Sequence, residues 1–305
     1  MVERLGFVGF GEAAFHLAKG LREAGVKRTI AFDIHMHTPR LGDKIQARAQ
    51  ETRTDLVEFS AALAASADVI ISAVTADQAA DAAEQTAPYL TSRHIYADLN
   101  SVSPRMKQRV GETISSSGAS FIEIAVMGPI PPQQHRTPML IGGPAASEFQ
   151  EMFAPYGMRM EVVSTDQIGR AAAVKMFRSV IYKGLEALIF ECVLGASRYG
   201  AEGRVFASLA ESFPGIDWNK LADYMVGRVV VHGERRAREM EEVARTLEEL
   251  GIEPIMAAAT ARRMDWAAAL GLRDTFGGEF PKTYQEVLDA IERAAAEPAS
   301  RGKAG

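Results

Sequence analysis

The chain is poor in cysteine: Cys192 stands alone among 305 residues, so no disulfide can close within one molecule. No group of cysteines and histidines has the spacing of a metal site. His35 and His37 lie two apart without a third ligand in reach, which marks them as solvated loop residues rather than a metal centre. There is no basic excess either. The net charge is -5, and nucleic-acid binding normally requires a basic face, so no nucleic-acid partner is expected. No run approaches eighteen consecutive apolar residues, and a strand signal begins by residue 5 without a cationic leader, so neither a membrane span nor a secretory signal is expected and the default compartment is the cytoplasm. With 47% hydrophobic and 24% charged residues, the chain has enough apolar material for two ordered domains.

What is present alternates. "LGFVGF" reads as a buried strand and "EAAFHLAKGLREAG" as an amphipathic helix stopped by Gly25. Strand signals recur at 28–33, 68–74, 94–100 and 120–126, with helical stretches predicted over 55–67, 79–90 and 104–118 between them. Further strands are expected at 137–143 and 158–164, with a short helix between. Ile- and Val-rich strands separated by helices predict an α/β fold, a Rossmann-type doubly wound parallel sheet covered on both faces. Beyond residue 165 the periodicity is helical. Asp217 can cap a helix beginning "WNKLADYMV", and "RVVVH" at 228–232 is a weaker strand candidate among helical neighbours. The expectation is a nucleotide-binding domain over 1–164 and an all-α domain over 165–305, fraying from about 298.

Where the first strand meets the first helix, Gly9-Phe10-Gly11-Glu12-Ala13-Ala14 matches a dinucleotide fingerprint with alanine in its third slot. The first glycine permits a tight turn, the second lets a pyrophosphate approach the backbone, and the small Ala14 lets helix and strand pack closely. The free amides of the helix N-terminus would face the phosphates. "TIAFD" ends in Asp33, 24 positions after Gly9, where a carboxylate can accept hydrogen bonds from the adenosine ribose. A carboxylate there repels a 2′-phosphate, which favours NAD while leaving NADP possible; the plain alternative for Asp33 is a turn-forming residue after a strand.

"GFVGFGEAAFHLAKGL", "DLNSVSP", "ASFIEIAVMGP" before "TPMLIGG", and "GRAAAVKMFRS" occur in an order that resembles the β-hydroxyacid dehydrogenases, the superfamily of 3-hydroxyisobutyrate and 6-phosphogluconate dehydrogenases. The later "HGERRAREMEEVARTLEELGIEPIM" resembles a poorly characterised C-terminal domain of one branch. The resemblance implies cofactor contacts at the Gly9–Ala14 loop and at Val74 and Thr75, with Asn100 and Ser101 lining the cleft beside nicotinamide and substrate. It puts the family's substrate loop at Met127, Gly128 and Pro129, where the usual serine hydroxyl is missing, and the catalytic lysine at Lys175. Where the family usually has asparagine, this chain has Ser179.

Helical geometry supports the last of these placements. At about 100° per residue, Arg178 lies about 60° to one side of Lys175 and Ser179 about 40° to the other, so the three share a face. An apolar helix would lower the Lys175 pKa toward that of a general acid/base; the plain alternative is a surface lysine that snorkels. Arg178 is expected to take over the anion contact, or else to form a salt bridge. The resulting expectation is an NAD(P)-dependent oxidation of a small hydroxy acid in a cleft between the domains, in a homodimer. The alternatives are a ketone or imine reductase, against which Lys175 weighs, and a dinucleotide-binding regulatory protein without turnover.

Overall fold

The computed structural model describes residues 2–296; the expected fraying from about 298 concerns residues outside these. The chain divides into two compact units, one ending at Met176 and the other beginning at Phe177.

The first unit opens with β1 (Arg4–Val8), α1 (Glu12–Glu23), β2 (Arg28–Phe32), α2 (Leu41–Thr52), β3 (Asp55–Leu56) and α3 (Ser60–Ser66). It continues through β4 (Val69–Ser72), α4 (Ala79–Thr86), β5 (Ile95–Asp98), α5 (Pro104–Ser115) and β6 (Ser120–Val126). Then come α6 (Ile130–Gln133), β7 (Met139–Gly142), α7 (Ala146–Phe153), β8 (Met160–Ser164) and the start of α8 (Arg170–Ser197). The eight strands form one sheet in the order β3-β2-β1-β4-β5-β6-β7-β8. The chain winds outward from β1 to β3 and then crosses back to place β4 on the other side of β1. In a sheet of this kind the reversal of strand order between β1 and β4 is where ligands bind, at the carboxyl ends of the strands.

Strand alternation explains why both faces are apolar. Val69 and Ile71 point into a core with Leu17, Leu21 and Phe149, whereas Ile70 between them points into a second core with Leu63, Val110 and Phe121. Helices cover both faces, as parallel strands require. The sheet is not wholly parallel: β7 runs antiparallel to β6, and β8 follows β7. The segment 55–67, predicted as one helix, begins instead as β3, because Asp55 and Leu56 pair with Ile30 and Ala31 at the sheet edge. The helix α2 had no counterpart in the sequence reading.

The second unit contains the remainder of α8, then α9 (Glu202–Ser212), α10 (Trp218–Glu249), α11 (Ile255–Ala269), α12 (Leu272–Thr275) and α13 (Tyr284–Ala296). Asp217 caps α10 as expected, accepting a hydrogen bond from the Lys220 amide at 3.1 Å. "RVVVH" lies inside α10 rather than in a strand. Val229, Val230 and Val231 are all buried, and burying each contributes roughly 1.5–3 kcal/mol, more than the few tenths their poor helix propensity costs. The core gathers Phe190, Val193, Phe206, Val226, Met264, Tyr284 and Val287.

The division at Met176/Phe177 falls inside α8, twelve residues beyond the expected boundary after 164. The buried Glu123 of β6 ties the first turn of α8 to the sheet of the first unit.

Candidate active site

The turn after β1 is held by backbone geometry that only glycine tolerates. Gly9 has φ +81°, and a Cβ there would lie 2.7 Å from Val74 Cγ1 and 2.8 Å from the Ala73 carbonyl oxygen. Its amide donates to Phe32 O at 2.8 Å, so the turn is stitched to the end of β2. Gly11 differs: it is the N-cap of α1 without a capping side chain, and a Cβ there would meet nothing within 4 Å. Open space therefore faces the first turn of α1, whose leading amides have no intrahelical acceptor. Glu12 in that turn is exposed, Ala13 half-buried, and Ala14 fully buried against the sheet. A diphosphate fits this cradle, which offers donors and no side chain in the way.

Asp33 is buried at the end of β2. One carboxylate oxygen accepts from the Phe10 amide at 2.7 Å and the other from the His35 amide at 2.8 Å. It thus fixes the glycine turn and shapes the loop after β2, while each oxygen keeps a second lone pair.

The ends of β4 and β5 are joined by a buried chain of polar contacts. Lys107 Nζ lies 2.7 Å from the Asp98 carboxylate, both fully enclosed; Asp98 accepts from the Asn100 amide, which also donates to Ser72 Oγ at 3.0 Å. Asn100 Oδ1 in turn accepts from the Val74 amide at 2.8 Å. Asn100 was expected to line the cleft; instead its amide hydrogens are spent inside the fold and it positions Val74. Thr75, the next residue, is exposed, and its hydroxyl holds the Asp77 carboxyl below the usual carboxylate range.

Ser101, one residue beyond Asn100, is exposed. Its Oγ accepts a hydrogen bond from Lys175 Nζ at 2.5 Å, across 74 positions of sequence. Lys175 reaches it because the start of α8 is anchored from within the sheet. The Glu123 carboxylate accepts from the amides of Gly169 at 2.7 Å, Ala171 at 3.0 Å and Ala172 at 3.2 Å. A negative charge at a helix N-terminus is stabilised both by these donors and by the macrodipole. Gly142, paired with Glu123 across β6 and β7, makes room: a Cβ there would meet Glu123 Oε1 at 2.7 Å. Sequence reasoning missed Glu123, Asp98 and Lys107. The available signal was a lone carboxylate inside an apolar strand covered on both faces, which cannot stay charged without donors.

Met127 and Gly128 follow β6. The Met127 amide is committed to Pro138 O at 2.9 Å, and a Cβ on Gly128 would meet only Thr137 Cγ2 at 3.8 Å. The ends of β1, β4, β5 and β6 and the start of α8 thus bring together Gly9, Gly11, Val74, Ser101 and Lys175 within the first unit. Arg178 and Ser179 belong to the second unit, farther along α8. The Arg178 guanidinium lies 5.0 Å from the centre of the Tyr182 ring, and Ser179 Oγ accepts from Lys183 Nζ at 3.3 Å. His37 pairs with Glu58 at 2.8 Å on the surface. Burial pushes the half-buried Cys192 thiol up, away from thiolate chemistry.

Residues 4–164, which carry this turn and these strand ends, match the NAD-binding domain of 6-phosphogluconate dehydrogenase. The chain belongs to that family. Residues 196–267 match a domain of unknown function, DUF1932. The chain is 28% identical over 260 residues to an uncharacterised 28.5 kDa protein from the 7S RNA 5′ region of Methanothermus fervidus, a match spanning 84% of this chain and 96% of that one. Among solved structures it is similar to a conserved hypothetical protein of Sinorhizobium meliloti, with 35% identity, TM-score 0.82 and coverage of 96% and 97% of the two chains. A second similar structure, 30% identical with TM-score 0.75 and coverage of 90% and 98%, is a protein of unknown function described as structurally similar to 3-hydroxyacid dehydrogenases. A Mycobacterium tuberculosis 3-hydroxyisobutyrate dehydrogenase shares the fold at 14% identity, with TM-score 0.71 and coverage of 97% and 100%. The family carries an NAD(P)-binding domain on a 3-hydroxyacid dehydrogenase-like fold. Among the described residues, no helix is long and apolar enough to cross a membrane.

Proposed function

We propose that the protein is an NAD-dependent dehydrogenase that oxidises the alcohol of a small hydroxy acid, with Lys175 as general acid/base. The observation that carries this reading is the 2.5 Å contact between Lys175 Nζ and Ser101 Oγ, which puts an amine at the carboxyl end of β5, beside the reversal of strand order between β1 and β4. When bound, the nicotinamide supplies the hydride acceptor. The amides after Gly9 and at the start of α1 would hold the diphosphate, with Val74 and Thr75 as further contacts to the dinucleotide. Asp33 would accept from the adenosine ribose with its remaining lone pairs and would disfavour a 2′-phosphate, which supports NAD over NADP.

As the C–H bond breaks, the substrate hydroxyl proton passes to the lone pair of Lys175 Nζ and from there to solvent; in reduction the same nitrogen returns it. Ser101 aims the amine. Met127, in place of a hydroxyl, and Gly128 leave an apolar wall. The working form is a homodimer in the cytoplasm. Support for a second copy comes from α8, where Ile181, Leu185 and Leu188 repeat on one face and Ile181 and Leu188 are 68% and 55% exposed.

The test is NADH production by wild type and Lys175→Ala over a panel of hydroxy acids. A turnover that falls by roughly 10²–10⁴ with the lysine, while NADH binding is retained, is the expected result. Tight dinucleotide binding without turnover on any acid would instead make the chain a sensor.

A further inference from the structure

Basic side chains cluster on neighbouring stretches of α8 and α10, although the chain as a whole carries -5. Arg228 and Arg236 share the single buried carboxylate of Glu186. Lys183 and Arg235 share Glu239. Arg178 has no ion pair or hydrogen bond among the described residues, and only the Tyr182 ring lies beneath it. Five cations thus face two carboxylates on adjoining stretches of α8 and α10.

Two of these cations converge on a pair of tyrosines. The Tyr182 ring centre lies 5.0 Å from the Arg178 guanidinium and 5.9 Å from that of Arg228. Arg228 also lies 5.2 Å from the centre of the Tyr224 ring. Burial, and the hydrogen bond to Tyr224, push the Tyr182 phenol up to about 12, so it stays protonated and donates to Tyr224 Oη at 2.9 Å. The same oxygen accepts from Arg228 Nη1 at 3.1 Å. With both lone pairs of Tyr224 engaged, its own O–H has no acceptor among the described residues and is left to donate outward. The two guanidiniums border one ring, Arg228 already sharing Glu186 with Arg236, and a guanidinium fork suits a carboxylate or phosphate group.

We infer that Arg178, Arg228 and the Tyr224 hydroxyl form an oxyanion subsite that receives a carboxylate or phosphate group. The ligand is either the acid end of the hydroxy-acid substrate or a separate small anion. Only the first source rests on the dehydrogenase reading; the subsite itself does not.

The experiment is calorimetric titration of the full chain with inorganic phosphate at low ionic strength. Saturable binding is expected, weakened tenfold or more in Arg178→Ala and in Tyr224→Phe, weakened less in Arg178→Lys, and unchanged in Arg198→Ala, which removes a distant surface charge. Both test residues are exposed, so the variants should fold, which circular dichroism verifies. An absence of saturable heat, or equal binding by all variants, overturns the subsite. Inhibition of turnover by phosphate separates the sources: competition with the hydroxy acid assigns the subsite to the substrate's acid end, and its absence assigns it to a separate anion. If no hydroxy acid is turned over, the dehydrogenase reading fails while the phosphate titration still decides the subsite.

Discussion

Replacing Glu123 by glutamine is the sharpest test of how the first unit positions Lys175. The carboxylate is fully buried and accepts three amides at the start of α8, with no side chain of that helix to substitute for it. Glutamine keeps one acceptor oxygen, which can still serve Gly169 and Ala171. Its NH₂, however, faces the Ala172 amide, donor against donor, and the negative charge at the helix terminus is gone. Charge-assisted hydrogen bonds are worth about 1.5–3 kcal/mol each, and a favourable partly buried charge at a helix end up to about 2 kcal/mol. Since two of the three contacts survive in weakened form, the expected loss is about 3 kcal/mol, or roughly 6–12 °C in Tm for a domain of this size. Glu123→Leu strands three buried donors and should cost more. The assay is thermal unfolding followed by a probe in the first unit, combined with amide exchange over residues 169–175. Unchanged Tm and unchanged protection in Glu123→Gln would refute the claim that this carboxylate holds the start of α8.

The two glycines of the first turn should respond in opposite ways. Gly9→Ala places a methyl 2.7 Å from Val74 at a φ of +81° and should lower Tm as well as NADH affinity, because left-handed backbone costs a non-glycine residue about 1–3 kcal/mol. Gly11→Ala meets open space, so Tm should hold while NADH affinity, read by fluorescence titration, falls at least tenfold. Equal Tm losses in the two variants would contradict the geometry. Introducing Ile181→Asp together with Leu188→Asp should convert a dimer into a 33.0 kDa monomer by light scattering; a two-chain mass in that variant would remove α8 as the contact face.

Much of this was legible in the chain because the signals are local. A glycine at a turn that needs positive φ, an apolar strand running into an amphipathic helix, and a carboxylate at the end of the second strand are each properties of a few neighbouring residues. They led to Gly9, Asp33 and the alternation of strands and helices in the first unit, and the motif order led to Lys175. Asn100 was read in the right place with the wrong orientation, since nothing in "DLNSVSP" reveals that Asp98, Ser72 and Val74 would use up its amide. "RVVVH" was ambiguous for a related reason: three valines fit a strand or a buried helix face, and only their neighbours in space decide.

By itself the sequence determined an α/β nucleotide-binding unit followed by a helical one, and the glycine turn. The tertiary structure alone decided what holds them: Glu123 reaching the start of α8 across 46 positions, the Lys107–Asp98–Asn100 chain gripping Val74, and the reversal of β7 and β8. The reason is that buried charges and amides must find partners wherever the packed fold brings them, and those partners lie far away in the chain, where periodicity and spacing carry no information.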